Sequence, residues 1–176
     1  MTPSRIVAPV ALSLALVLVS VRWTVRTPAP PVAAAIGHGF PALALAPLAG
    51  VPPLSDASLR AGHPTLVNLF ASWCVPCRAE AASLAALRVA GVTVAGIAVR
   101  DRPDDAAAFV RATGARFVAG GLDPHERVQA ALRSRGIPET WLVDGDGVVR
   151  AVWRGGIAPT DVAHIAAVAN SFAPAR

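Results

Sequence analysis

Only two cysteines occur in 176 residues, and they stand together in Trp73-Cys74-Val75-Pro76-Cys77. Two thiols at this spacing can cycle between dithiol and disulfide, or supply half of a metal site. A structural staple is a poor third reading, because closing so short a loop removes little chain entropy. A zinc site would need further ligands at suitable places. The histidines, His38, His63, His125 and His164, are scattered with no pair four residues apart, and no metal site is expected. Arg78 stands where a covalent haem motif carries histidine, so the chain is not itself a c-type cytochrome. Thiol–disulfide exchange is the chemistry that remains. A thiol at a helix start lies among unpaired N–H groups that favour its thiolate. A second thiol three residues on is placed to attack the mixed disulfide that the first one forms.

Such a pair needs a strand leading into it and a helix starting at it. Thr65–Phe70 is a short apolar run of the central-strand kind, and a helix to about Arg88 follows, with Cys77, Ala81, Leu84 and Leu87 on one face. Gly91 ends it, and Val92–Val99 reads as a second buried strand. Pro103-Asp104-Asp105 opens a helix with acids at its positive end, and Gly114 closes it. A short strand is expected at Phe117–Ala119 and a helix at Glu126–Arg135. Thr140–Val143 and Val148–Trp153 flank Asp144-Gly145-Asp146-Gly147, a strong hairpin signal. A closing helix spans about Thr160–Phe172, with Val162, Ile165, Ala166, Ala169 and Phe172 on one side. Phe40–Leu48, with Pro41 and Pro47, is either an edge strand or a loop. The order β-α-β-α-β-α-β-β-α implies a mixed sheet with helices on both faces, because β-α-β crossovers join parallel strands.

The net charge is +5, carried by arginine without any lysine. These arginines are spread singly, with no tyrosine and no basic run, so the composition predicts a solvated surface and no nucleic-acid partner. Residues 6–21 are sixteen positions without a charge, flanked by Arg5 and by Arg22, Trp23 and Arg26. Trp23 and a snorkelling Arg22 extend this run toward the length of a span. Ala33-Ala34-Ala35 is a candidate cleavage site, but it lies far beyond the apolar run, which favours a retained anchor over a cleaved signal. The expected organisation is a transmembrane segment at 1–26, a Pro/Ala-rich linker at 27–35 and one domain at 36–176.

Asn68-Leu69-Phe70-Ala71-Ser72-Trp73-Cys74-Val75-Pro76-Cys77-Arg78-Ala79-Glu80 is similar to the active-site segment of membrane-anchored bacterial thioredoxin-like reductases. About sixty residues later, Gly136-Ile137-Pro138-Glu139-Thr140 resembles the cytochrome c maturation branch, the thiol–disulfide interchange proteins called DsbE or CcmG, related to the TlpA-like reductases. Arg100-Asp101 after the second strand fits the same branch, and the resemblance covers roughly residues 36–172. It implies a thioredoxin fold, Cys74 as nucleophile, Cys77 as resolving thiol, and Pro138 as the cis-proline whose neighbour Ile137 pairs with a bound substrate strand. Trp73 is then the residue shielding Cys74, and Val75-Pro76 tune its potential. The branch is acidic around its disulfide, with Glu139 as one contributor. Glu80 is either a second acid/base group or a solvated carboxylate on the helix face. Ordinary thioredoxins carry a buried aspartate where this chain has Asn68, which leaves open what assists Cys77.

The function implied is a protein-disulfide reductase, single-pass in the cytoplasmic (inner) membrane, with its redox domain on the periplasmic side. Its expected partners are apocytochrome c or cytochrome c maturation proteins as substrate and an integral-membrane thiol carrier as electron donor. No cofactor beyond the Cys74–Cys77 disulfide is expected, and the chain should be a monomer. The alternatives are a general TlpA-like extracytoplasmic reductase, including one for copper-site assembly, and a metal-binding Cys-x-x-Cys module.

Overall fold

The computed structural model describes residues 35–174. The expected span at 6–21 and most of the linker lie outside them. No helix among the described residues is long and apolar enough to cross a membrane.

Five strands, β1 (Thr65–Phe70), β2 (Thr93–Val99), β3 (Gly120–Asp123), β4 (Glu139–Val143) and β5 (Val149–Arg154), form one sheet in the order β3-β2-β1-β4-β5. β1, β2 and β3 run parallel, while β4 and β5 pair antiparallel to complete the expected mixed sheet. The helices are α1 (Asp56–Leu59), α2 (Val75–Val89), α3 (Pro103–Thr113), α4 (Arg127–Ala131) and α5 (Val162–Asn170).

Alternation along the strands builds two cores. Leu66, Phe70, Val94, Ala98 and Leu142 pack with α2, α3 and α5 on one face, in the cluster that holds both cysteines. Val67, Leu69, Ala95, Ile97, Trp141 and Val143 pack with Leu59 of α1 and Val128 of α4 on the other. Every residue of β1 is buried, as a central strand covered on both faces requires.

Local chemistry explains the helix ends. Pro103 occupies the first turn of α3, where its missing N–H costs nothing, and Gly114 caps the helix in the left-handed region at φ 66°. Asp123 accepts from the N–H groups of Arg127, Val128 and Gln129, replacing the partners that the first turn of α4 lacks.

Four expected elements differ. The third strand begins at Gly120, not Phe117, because the Phe117 ring covers Gly96 and stacks near Phe70 at 5.1 Å between centroids. A Cβ on Gly121 would lie 2.7 Å from Cβ of Leu45, so the glycines that look like breakers are what lets the N-terminal segment approach. That segment is neither a full strand nor a plain loop: it touches the sheet in single bridges, Ala46 to Leu122 and Gly39 to Val148. The expected helix to Arg135 stops at Ala131, which is exposed, and the chain turns away at Arg133 with φ 53°. The last helix is shorter too: Pro159–Asp161 form a 3-10 turn, and Phe172 is 39% exposed beyond its end rather than on the buried side.

Candidate active site

β1 ends at Phe70, and the chain reaches the helix start through Ala71, Ser72 and Trp73. Cys74 is the N-cap residue of α2 with extended backbone, and Pro76 sits in the first turn. Cys74 and Cys77 form a disulfide. The N–H of Cys77 donates to Cys74 Sγ at 3.2 Å, so this sulfur already takes the place of a capping oxygen. A thiolate there would be favoured by that donor and by the helix dipole. Cys77 is 1% exposed and Cys74 5% exposed, so whatever reaches the pair meets Cys74 first. Val75, beside it, is 79% exposed.

The turn before the disulfide is clasped by the loop after β2. Asp101 accepts from the Ser72 N–H and, at 2.7 Å, from the Ser72 hydroxyl. Trp73 donates its indole N–H to the Arg100 carbonyl at 3.2 Å, and the Arg100 guanidinium lies 5.9 Å from the centre of that ring. Trp73 itself is 54% exposed, a surface wall beside Cys74 rather than a lid over it.

On the other side runs Gly136-Ile137-Pro138, with the Ile137–Pro138 peptide bond cis. Ile137 packs against the core cluster that contains Cys74 and Cys77. Its N–H and C=O make no hydrogen bond among the described residues, whereas the Pro138 carbonyl is taken by the Gly155 N–H at 3.0 Å. An open groove of about 350 Å3 lies here, lined by Trp73, Arg100, Glu126, Gln129, Arg135 and Ile137 among others.

Glu80 and Glu139 do not converge. Glu80, one turn beyond Cys77 on α2, is 2% exposed, which removes the solvated reading. It accepts from Asn68 Nδ2 at 3.0 Å and from the Ile157 N–H at 2.9 Å. Burial raises its pKa, with those two hydrogen bonds acting in the opposite direction. Asn68 donates also to Thr140 Oγ1 at 3.0 Å, so the position of the missing aspartate is hydrogen-bonded directly to Glu80. Glu139 lies across the sheet, in register with Leu69 and Arg154. Its Oε1 accepts from Arg154 Nε at 3.2 Å and from the Arg135 N–H at 3.4 Å, while Oε2 is buried without a partner. The acidic surroundings expected from the resemblance are therefore interior. Three arginines reach solvent beside the disulfide: Arg78, whose guanidinium donates to the Ser72 carbonyl and lies 5.1 Å from the Phe109 ring centre, Arg135, and Arg100, which is paired with the partly exposed Glu126. Among the described residues no group of three His, Cys, Asp or Glu side chains comes together as a metal site.

Residues 36–152 match the AhpC/TSA family. The chain belongs to that family. Within it, the chain is of the DsbE thiol:disulfide interchange type. It is 40% identical over 111 residues to the thiol:disulfide interchange protein HelX of Rhodobacter capsulatus, covering 63% of each chain. It is 34% identical over 152 residues to DsbE of Pseudomonas fluorescens, covering 82% of this chain and 80% of that one. The chain spans 63% of HelX and 54% of CycY of Rhizobium leguminosarum, under two-thirds of the length of either relative. Among solved structures, a secreted disulfide oxidoreductase of Mycobacterium tuberculosis matches with TM-score 0.61 and 25% identity, over 70% of this chain and 93% of that one. A thioredoxin-family interchange protein of Chlorobium tepidum matches with TM-score 0.57 and 29% identity, over 71% and 94%. The domain has the thioredoxin-like α/β fold.

Sequence patterns singled out Trp73–Cys77 and 136–139, and the structure adds three contacts around them. The Asp101 clasp, the Glu80–Asn68 pair and the Arg100–Glu126 ion pair at 2.9 Å all join residues remote in the chain. Arg100, Asp101 and Glu80 stood out singly in the sequence, but only Asn68, a polar residue inside an apolar strand, signalled that it needs a partner, because a buried amide requires one.

Proposed function

We propose that the chain is an exported, membrane-tethered reductase that opens disulfides in apocytochrome c or its maturation partners. The observation that carries this is Cys74 Sγ at the N-cap of α2, already accepting the Cys77 N–H, beside the unpaired backbone of Ile137. In the dithiol form, the Cys74 thiolate attacks one sulfur of the target disulfide. That S–S bond breaks, one target thiolate leaves, and Cys74 is held in a mixed disulfide. Cys77 then gives up its proton, attacks Cys74 Sγ and expels the second target thiolate. The target has gained two electrons, and Cys74–Cys77 is again a disulfide. Glu80 accepts the Cys77 proton: it shares a face of α2 with Cys77, and burial raises its affinity for a proton. Ile137 offers one N–H and one C=O to an added substrate strand, with Pro138 ending that open edge. Trp73, Val75 and Pro76 form the surface that meets the substrate, and Glu139 braces the strand from behind.

The uncharged run at 6–21 supports a single-pass anchor in the cytoplasmic membrane, and thiol–disulfide chemistry on an exported substrate puts the redox domain on the periplasmic side. An integral-membrane thiol carrier then returns two electrons to Cys74–Cys77, and the domain works as a monomer.

Equilibrating the chain with glutathione and counting free thiols by alkylation tests the direction of flow. A potential near or below thioredoxin's, roughly −270 mV, is expected; a value near −120 mV, that of a strong oxidant, would reverse the assignment. Covalent haem staining in a deletion strain tests the substrate: c-type cytochromes should disappear and return with the wild-type gene, but not with Cys74→Ala.

A further inference from the structure

The groove between Trp73 and Ile137 has an uneven charge balance. Arg100 and Glu126 both line it and neutralise each other across 2.9 Å. Both hold left-handed backbone conformations, at φ 48° and φ 56°, uncommon for non-glycine residues and met where a local site is built. Glu139, just behind the groove, is matched by Arg154 at 3.2 Å. Asp101 is occupied by Ser72 and by the Arg102 N–H. Arg135 is different. It lines the same groove, is exposed, and has no carboxylate within 4.0 Å of its guanidinium among the described residues. Its backbone is fixed, because its N–H donates to the buried Glu139 carboxylate.

Arg135 stands two residues before Ile137, whose N–H and C=O are open. Side chains on one face of a strand recur every second residue, about 7 Å apart. A substrate strand paired at Ile137 therefore presents to Arg135 the side chain two positions from the one that faces Ile137. We infer that Arg135 is a specificity residue, and that the preferred substrates of this chain are peptide segments with an aspartate or glutamate two residues from the target cysteine. The inference rests on the reductase reading above and specifies the substrate that the reductase selects. Arg78 lines a separate hollow together with Asp105, so the unmatched charge beside Ile137 is that of Arg135. Complementary charge there acts on encounter and register more than on the sulfur chemistry.

The test uses the reduced full chain and three peptides that differ only two residues from a cysteine held as a mixed disulfide with nitrothiobenzoate. That position carries aspartate, asparagine or lysine, and the coloured thiolate reports the rate. The aspartate peptide should react about fivefold faster than the asparagine peptide, the size of one exposed charge pair, and the lysine peptide should be slowest. The advantage should shrink between 20 mM and 500 mM salt, as screening requires. Arg135→Gln should bring the aspartate and asparagine peptides to one rate, and Arg135→Lys should keep part of the difference. Equal rates on all three peptides with the wild-type chain, or a preference that survives Arg135→Gln, would overturn the inference and leave the reductase reading standing. A chain inert on all three peptides would overturn both.

Discussion

Glu80 and Glu139 are buried to the same 2% exposure on opposite faces of one sheet, yet their surroundings differ in kind. Glu80 is held by two neutral donors, Asn68 and the Ile157 N–H, with no arginine within 4.0 Å among the described residues. Glu139 has a guanidinium at 3.2 Å. Neutral hydrogen bonds offset only part of the desolvation of a carboxylate, so Glu80 holds a proton more tightly than a free glutamate. Glu139 instead has a cation beside it, and the pair braces β4 against β5. Two equally buried acids of this domain thus differ in the partner that the fold gives each.

The strongest way to break this contrast is kinetic. Glu80→Gln should slow the Cys77 step about 100-fold, the usual scale of a lost proton acceptor, while the attack of Cys74 continues. Quench-flow trapping of the mixed disulfide would show it accumulating; its turnover at the wild-type rate would remove Glu80 from the mechanism. Glu139→Gln should leave the pH dependence of that step in place.

Next in size is the loss of the counter-ion. Arg154→Leu leaves the Glu139 carboxylate buried without a cation and should cost about 2 kcal/mol in urea unfolding, less than a fully buried pair because Arg154 is partly exposed. Arg154→Lys should restore part of it. No loss in Arg154→Leu would mean that Glu139 is braced by the Arg135 N–H alone.

Asn68→Asp would sharpen the contrast by placing a second acid against Glu80. The two carboxyls would share one proton, and about 1–2 kcal/mol of stability should be lost between pH 5 and pH 8. A variant as stable at pH 8 as at pH 5 would show that Glu80 and residue 68 do not interact.

The smallest effect is the pH slope of the wild type. A raised folded pKa means that the stabilisation linked to Glu80 is complete below the unfolded value, about 4.3, and fades as pH rises through the folded value. The slope is at most about 1.4 kcal/mol per pH unit, and Glu80→Gln should abolish it. Asp144 acts in the opposite sense: burial alone would raise its pKa, but hydrogen bonds from Val148, Arg150 and Asp146, with the Arg150 charge, carry it below the usual value. Its contribution is present above the unfolded value, about 3.9, and is lost only as pH falls through the lower folded value, so the two slopes separate.

Much of this was legible in the chain. Residues 65–70, 93–99 and 139–154 declare their strands through apolar runs and one hairpin signal, and the helix after Cys77 shows its buried face at 81, 84 and 87. The misplacements at Phe117 and Arg135 share a cause. Phe117 looks like a strand residue and Gly120-Gly121 like a break, until Leu45 and Gly96 are packed against them. Residues 132–135 look helical, until the chain has to turn at Arg133 so that Ile137 can reach the cysteine cluster. Glu80 gave no local sign of burial, since a carboxylate one turn into a helix is usually solvated.

By itself, the sequence determined the position of the reactive pair, the order of the strands and the ends of α3 at Pro103 and Gly114, because these depend on neighbours within a few residues. Only the tertiary structure decided which acid met a cation, which arginine of the groove met no carboxylate among the described residues and which backbone edge stayed open there. Those outcomes rest on contacts such as Asn68 with Thr140 and Glu80 with Ile157, 72 and 77 residues apart in the chain, where burial, not spacing, sets the strength of a charge or a hydrogen bond.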